Sequence, residues 1–206
     1  MPQSRRYKKK KSAGKAILAW IIVLTILAAG VFVFVSVFYE DAKKKLDEMN
    51  YPRTYSTYVE KAAEDYDLDP ALIYAVIHTE SGFDPKAESG VGAKGVMQMM
   101  PSSFEWLQEQ RGCAGQYTED DLFDPEICID YGSYLLKYFY DYYGTERSAI
   151  AAYNAGFVVS DWLNDTNYSS DGKNLDSIPY PETKNYVDKV ESAKEMYIKL
   201  YYSQSN

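Results

Sequence analysis

Apolar positions follow two different rules along this chain. Residues 16–38, "AILAWIIVLTILAAGVFVFVSVF", are 23 consecutive positions without a charge. As a helix rising about 1.5 Å per residue they extend about 34 Å, enough to cross a hydrocarbon core of about 30 Å. A removable signal peptide is the rival reading, but its apolar region would run about 7–15 residues and end at an A-x-A-like site. Here "VFVFVSVF" follows Ala28-Ala29-Gly30 without a convincing cleavage point, so the segment reads as an uncleaved transmembrane anchor. Residues 39–52 read as a short charged stalk. Beyond them, apolar residues recur at helical spacing. Leu72, Ile73, Val76 and Ile77 share one face, Ile127, Tyr131, Tyr134, Leu135, Tyr138 and Tyr142 form a stripe, and Val187, Val190, Ala193, Met196 and Tyr197 form another. Strand-like alternation is scarce. The pattern predicts a single all-α domain over residues 53–203.

Punctuation agrees with helices. Pro52, Pro70, Pro101, Pro125 and Pro181 stand where a helix could begin, and Asp69-Pro70 and Asp124-Pro125 match an N-cap followed by proline in the first turn. "SGVGAKG" and "NDTNYSSDGKNLDSIP" read as loops, the second carrying two N-x-[ST] sequons, and no internal repeat is present. The 21 tyrosines fall largely on the stripes, where core packing with the hydroxyl reaching the surface is the plain reading. Aromatic faces also stack on sugar rings, so some could line a glycan groove.

Charge changes the picture in two ways. Residues 1–15, "MPQSRRYKKKKSAGK", hold seven of the 22 Lys and Arg and no acid, a basic tail before the span. By the positive-inside rule the N-terminus is cytoplasmic and residues 39–206 lie outside, a single-pass topology in the cytoplasmic membrane. The outer part is left with 15 basic against 30 acidic residues, a net charge of −15. So acidic a domain does not bind nucleic acid by bulk charge, and recognition must be local. Cys113 and Cys128 both fall outside the membrane, where they could form a disulfide or remain as two thiols. With one His and no Cys/His cluster, no metal site is expected, and no cofactor.

The chemistry centres on Glu80, which continues the apolar face of "DPALIYAVIHTES" because it lies four residues after Val76 and three after Ile77. A carboxylate there is costly unless paired or protonated, and desolvation raises its pKa, making a general acid available near neutral pH. A frayed helix end, or pairing with Lys94, would make the same residue unremarkable. His78, two positions earlier, points to another side of the helix. Downstream, "SGVGAKGVMQMMP" sets three glycines ahead of Met97, Gln98, Met99 and Met100, and "SAIAAYNAG" is a small-residue helix ending in Tyr153, Asn154 and a C-capping Gly156.

Taken together, "ES" at 80–81, Ser89, "GVMQMMP" at 95–101, "AYNAG" at 152–156 and "ETKNYV" at 182–187 resemble the lytic transglycosylases of the soluble-lytic-transglycosylase catalytic-domain type, relatives of goose-type lysozyme. The resemblance runs from about Tyr51 to Tyr201 and implies a lysozyme-like helical fold. It implies that Glu80 is the sole acid and then base, cleaving the MurNAc-GlcNAc β-1,4 bond of peptidoglycan without water to leave 1,6-anhydromuramoyl ends. Ser89 would assist the muramoyl group, Gln98, Met100, Tyr153 and Asn154 would line the cleft, and Glu182 and Tyr186 would match the last motif, Tyr186 supporting the glutamate. Phe157 and Val158 depart from the family, which often has Pro or Gly there, and could reshape one edge of the cleft. Peptidoglycan glycan strands are the implied partner, with cell-wall or secretion machinery as further candidates. A hydrolytic lysozyme-like muramidase would need a second carboxylate, with Asp84, Glu88, Asp161 and Glu182 available. A catalytically silent glycan-binding scaffold is the remaining alternative.

Overall fold

The computed structural model describes residues 4–203, with side chains described from Gly14 onward. Residues 1–3 of the basic tail therefore lie outside the described part. The chain divides into two compact units between Asn50 and Tyr51.

The first unit is one helix, α1 (Ser4–Asn50). Its apolar side chains from Ile17 to Tyr39 are exposed, and Gly14–Asn50 contains a stretch long and apolar enough to cross a membrane. Its two aliphatic hydroxyls are satisfied locally, Thr25 Oγ1 donating to the Ile22 carbonyl and Ser36 Oγ to that of Phe32, both at 2.8 Å. That is what a hydroxyl in hydrocarbon requires. The charged residues expected to form the stalk are helical. They continue the same helix as far as Asn50.

The second unit is all-α: α2 (Ser56–Tyr66), α3 (Pro70–Ser81), α4 (Pro101–Gln110), α5 (Pro125–Tyr143), α6 (Glu146–Ala155), α7 (Val159–Asn164) and α8 (Pro181–Tyr197), with short 3₁₀ or π turns after several of them. Among the described residues there is no strand, only isolated bridges joining Lys94 to Glu88 and to Met99. Four of the five expected prolines open helices, and Asp69 and Asp124 cap α3 and α5 by accepting from Ala71 N at 2.9 Å and Glu126 N at 2.8 Å. Pro52 does not. The helix after it starts at Ser56, because Tyr55 takes a left-handed conformation (φ 62°) that no helix can continue through.

Helix α3 is the centre of the domain. Every residue from Ala71 to Ile77 is buried, so it is apolar on all sides rather than on one face, with α8 and α2 packed against it. The α5 stripe is corrected in part. Tyr131 and Leu135 are buried as expected, but Tyr142 is 58% exposed, and the buried side extends to Cys128, Gly132, Leu136, Phe139 and Tyr143. Tyrosine's amphipathic ring explains the error, since it satisfies an apolar pattern on either side of a helix. The α8 stripe is buried as expected at Val187, Val190, Ala193 and Tyr197, and gains Thr183 and Tyr186 at its start.

Candidate active site

Glu80 sits in the last turn of α3. Gly82 ends the helix in the left-handed region (φ 59°), its N–H returning to the His78 carbonyl at 3.2 Å. The next residue, Ser81, is the fastener. Its Oγ donates to the Val96 carbonyl at 2.8 Å and accepts from Phe83 N at 3.1 Å, tying the helix end to the loop that follows.

That loop, residues 87–100, is built from backbone bonds. Lys94 and Met99 exchange N–H and carbonyl at 2.9 and 3.0 Å, and Gly95 N donates to the Ala87 carbonyl at 2.9 Å. Ser89 closes the glycine turn, its Oγ accepting from Ala93 N at 2.9 Å. Gln98, itself in the left-handed region (φ 48°), spends its amide N–H₂ on the carbonyls of Ala87 and Gly95, both at 3.0 Å. Its Oε1 is therefore the atom left for a ligand. Beneath, Val96, Met97 and Met99 are buried, while Met100 stays 39% exposed at the N-terminus of α4.

Two glycines let this loop lie flat on α5. A Cβ on Gly95 would stand 1.9 Å from the Leu122 carbonyl oxygen and 2.8 Å from Cys128 Sγ, and one on Gly132 would stand 2.5 Å from Met97 Sδ. The Met97 peptide is held at both ends, its N–H by Cys128 Sγ at 3.4 Å and its carbonyl by the Tyr153 hydroxyl at 2.9 Å. Tyr153 comes from the end of α6. Its neighbour Asn154 is exposed, with Oδ1 accepting from Thr183 Oγ1 of α8 at 2.8 Å. From the next turn of α8 the buried Tyr186 hydroxyl faces Glu80, close enough to stabilise the carboxylate but without a hydrogen bond of normal geometry.

The electrostatic outcome follows from this crowding. Desolvation raises the Glu80 pKa from an ordinary 4.5 to about 7, with Tyr186 opposing, and no second carboxylate contributes. Burial, with the Glu80 charge added, pushes the Tyr153 and Tyr186 hydroxyls up, so both stay neutral donors. The domain thus holds a half-dry carboxyl, protonated for much of the time near neutral pH and framed by two phenols. Depressions near Tyr66 and near His78 do not include it.

Glu80, Tyr153 and Tyr186 come together, Ser89, Gln98 and Met100 lie on the loop that Ser81 ties to the Glu80 helix, and Asn154 joins them through Thr183. Glu182 is exposed in the first turn of α8. Lys94 is not the partner of Glu80; its ammonium pairs with Glu119 and Asp120, both at 3.1 Å. His78 stacks on Tyr51 with ring centroids 4.8 Å apart. Asp84, Glu88 and Asp161 are exposed. The disulfide is not formed: Cys113 Sγ lies 3.3 Å from the Tyr131 hydroxyl, whereas Cys128 is buried under the Met97 peptide. Sequence reasoning missed Ser81, Thr183 and Cys128 as supports. Ser81 left a trace as half of the "ES" pair and Thr183 as part of "ETKNYV", while Cys128 reads only as a possible disulfide partner.

A helical, lysozyme-like domain with one desolvated glutamate at the end of its central helix defines the class. The chain belongs to the Transglycosylase SLT domain family, whose model matches residues 57–175, more than half of it. Tyr186 lies beyond that match. The chain is 32% identical over 146 residues to the soluble lytic murein transglycosylase of Escherichia coli K12, covering 69% of this chain and 23% of that protein. It is 32% identical over 191 residues to the membrane-bound lytic murein transglycosylase C of Serratia proteamaculans, covering 82% and 53%. Among solved structures it resembles an inactive glutamate-to-glutamine mutant of the lytic transglycosylase Slt from Pseudomonas aeruginosa, with a TM-score of 0.65, 30% identity, and coverage of 74% of this chain and 25% of that one. The chain thus spans between a quarter and about half of these relatives.

Proposed function

We propose that this chain is a membrane-anchored peptidoglycan lytic transglycosylase in which Glu80 acts first as acid and then as base. The observation that carries the reading is the Glu80 carboxyl at the end of α3, desolvated so that its pKa rises to about 7, with no other carboxylate perturbing it. Protonated Glu80 donates to the glycosidic oxygen between MurNAc and GlcNAc. The C–O bond breaks and oxocarbenium-like charge develops at the muramoyl C1. The ionised Glu80 then takes the proton of the muramoyl C6 hydroxyl, whose oxygen bonds to C1 and closes the 1,6-anhydro ring. The proton Glu80 gave up is restored and no water is consumed. Tyr186 and Tyr153 hold neutral phenols near the carboxyl through both steps, while the Gln98 Oε1 and the Ser89 hydroxyl are offered to the sugar.

A two-carboxylate hydrolase needs its second acid within about 5–9.5 Å of the first. The exposed positions of Asp84, Glu88, Asp161 and Glu182, and their silence in the titration of Glu80, support the single-carboxylate route. Residues 16–38 are proposed to span the cytoplasmic membrane once, the basic tail inside and the domain outside, with nascent or mature glycan strands as substrate. The test is release of soluble muropeptides from purified sacculi. Glu80→Gln is expected to abolish release, while Asp84→Asn with Asp161→Asn leaves it within about twofold. Loss of release in the double variant instead would return the assignment to a hydrolase.

A further inference from the structure

On α4, α5 and the turn after α6, four aromatic side chains meet at the surface without serving the Glu80 site. Trp106 stands edge-on to Tyr138 (centroids 5.0 Å apart, 89°), Tyr138 stacks with Tyr142 (6.3 Å, 15°), and Phe157 stands edge-on to Tyr142 (5.7 Å, 81°). Tyr142 is 58% and Phe157 49% exposed. Phe157 is one of the two residues that depart from the family pattern after "AYNAG". Its position is fixed from below, because the Tyr143 hydroxyl reaches the Phe157 carbonyl at 3.5 Å and Ser160 Oγ at 3.1 Å. The backbone beneath Phe157 is thus anchored, and its ring packs on Phe139 (centroids 5.4 Å apart) as well as on Tyr142, which lowers the ordering cost of binding.

The patch lies on elements that also carry or adjoin the site residues. Phe157 lies three residues past Asn154, and Trp106 six past Met100. Along α5, Tyr138 and Tyr142 lie six and ten residues beyond Gly132, against which Met97 packs, so roughly 9 and 15 Å further along the helix axis. That is the span of a few sugar rings. We propose that Trp106, Tyr138, Tyr142 and Phe157 form an accessory platform for the same glycan strand that Glu80 cuts, resting on the reading above, and that it makes the protein prefer long strands over short ones. Pyranose rings present C–H faces that stack on aromatic faces. The tyrosine hydroxyls and the nearby Lys137–Asp141 pair (2.8 Å) supply partners for sugar hydroxyls. The net charge of −15 outside the span argues against an anionic membrane surface as the occupant.

The experiment uses the full chain in detergent micelles with Glu80→Gln, so that strands bind uncut. Peptide-free peptidoglycan glycan is fractionated into tetrasaccharides and strands more than twice as long, and binding is measured by calorimetry. Long strands are expected to bind about tenfold tighter. Tyr142→Ala should erase that gain while leaving tetrasaccharide affinity unchanged, and Tyr142→Trp should keep it. Equal affinity for both lengths, a length gain that survives Tyr142→Ala, or an equal loss for both lengths would overturn the platform. Production of anhydro ends by the unmutated chain is scored separately. Length-dependent binding without those ends sinks the reaction and leaves the platform standing, and the converse sinks the platform alone.

Discussion

A carboxyl that must start protonated has to be kept dry, and Glu80 is kept dry at a cost to stability. Its pKa rises from 4.5 to about 7 on folding, so the native state holds a proton that the unfolded chain has released. Ionising it in place therefore opposes folding. The penalty is absent below about pH 4.5, grows as pH rises toward 7, and is complete above it, reaching about 3 kcal/mol. Glu80→Gln should accordingly raise the melting temperature at pH 8 and lose that advantage as pH falls to 4.5, which parallel thermal scans would reveal. Cleavage by the unmutated chain should decline as pH rises through about 7, because the acid form is lost. Tyr186 opposes the upward shift, so Tyr186→Phe should move that decline to higher pH. A decline that stayed put would remove Tyr186 from the account.

At the scale of elements, the site is a helix end fastened to a loop that lies on a second helix. Ser81→Ala removes the donor to Val96 and leaves Phe83 N without its acceptor, and should cost about 1–2 kcal/mol. Gly95→Ala should be worse, about 2 kcal/mol or more, since its φ of 76° disfavours a side chain and the Leu122 backbone cannot yield as a flexible side chain would. Denaturant midpoints would rank the two. The helices were legible because their signals are local: proline at the first turn, aspartate caps, three- and four-residue spacing. The end of α3 was legible for the same reason, since Glu80 extends a run of apolar residues. What escaped the sequence is long-range. Nothing local marks Cys128 as the support for the Met97 peptide, Thr183 as the partner of Asn154, or Glu119 and Asp120 as the acids that pair with Lys94. The roles of Ser89, Gln98, Tyr153 and Tyr186 came from family resemblance, and their spacing alone would not have assembled them.

For the whole molecule, the division at Asn50 separates an apolar helix from a domain with its own core. Residues 51–206 should therefore fold without α1 and melt within a few degrees of the full chain, as circular dichroism would show. What that domain does to peptidoglycan is the central claim, and the fate of one oxygen atom tests it. Digestion of purified sacculi in water enriched in heavy oxygen, followed by mass spectrometry of the released muropeptides, reads it directly. The account predicts 1,6-anhydromuramoyl ends that are lighter by one water than hydrolytic ends, carry no heavy oxygen, and vanish with Glu80→Gln. Reducing muramoyl ends carrying one heavy oxygen at C1 would show that water attacked, and the single-glutamate reading would fall.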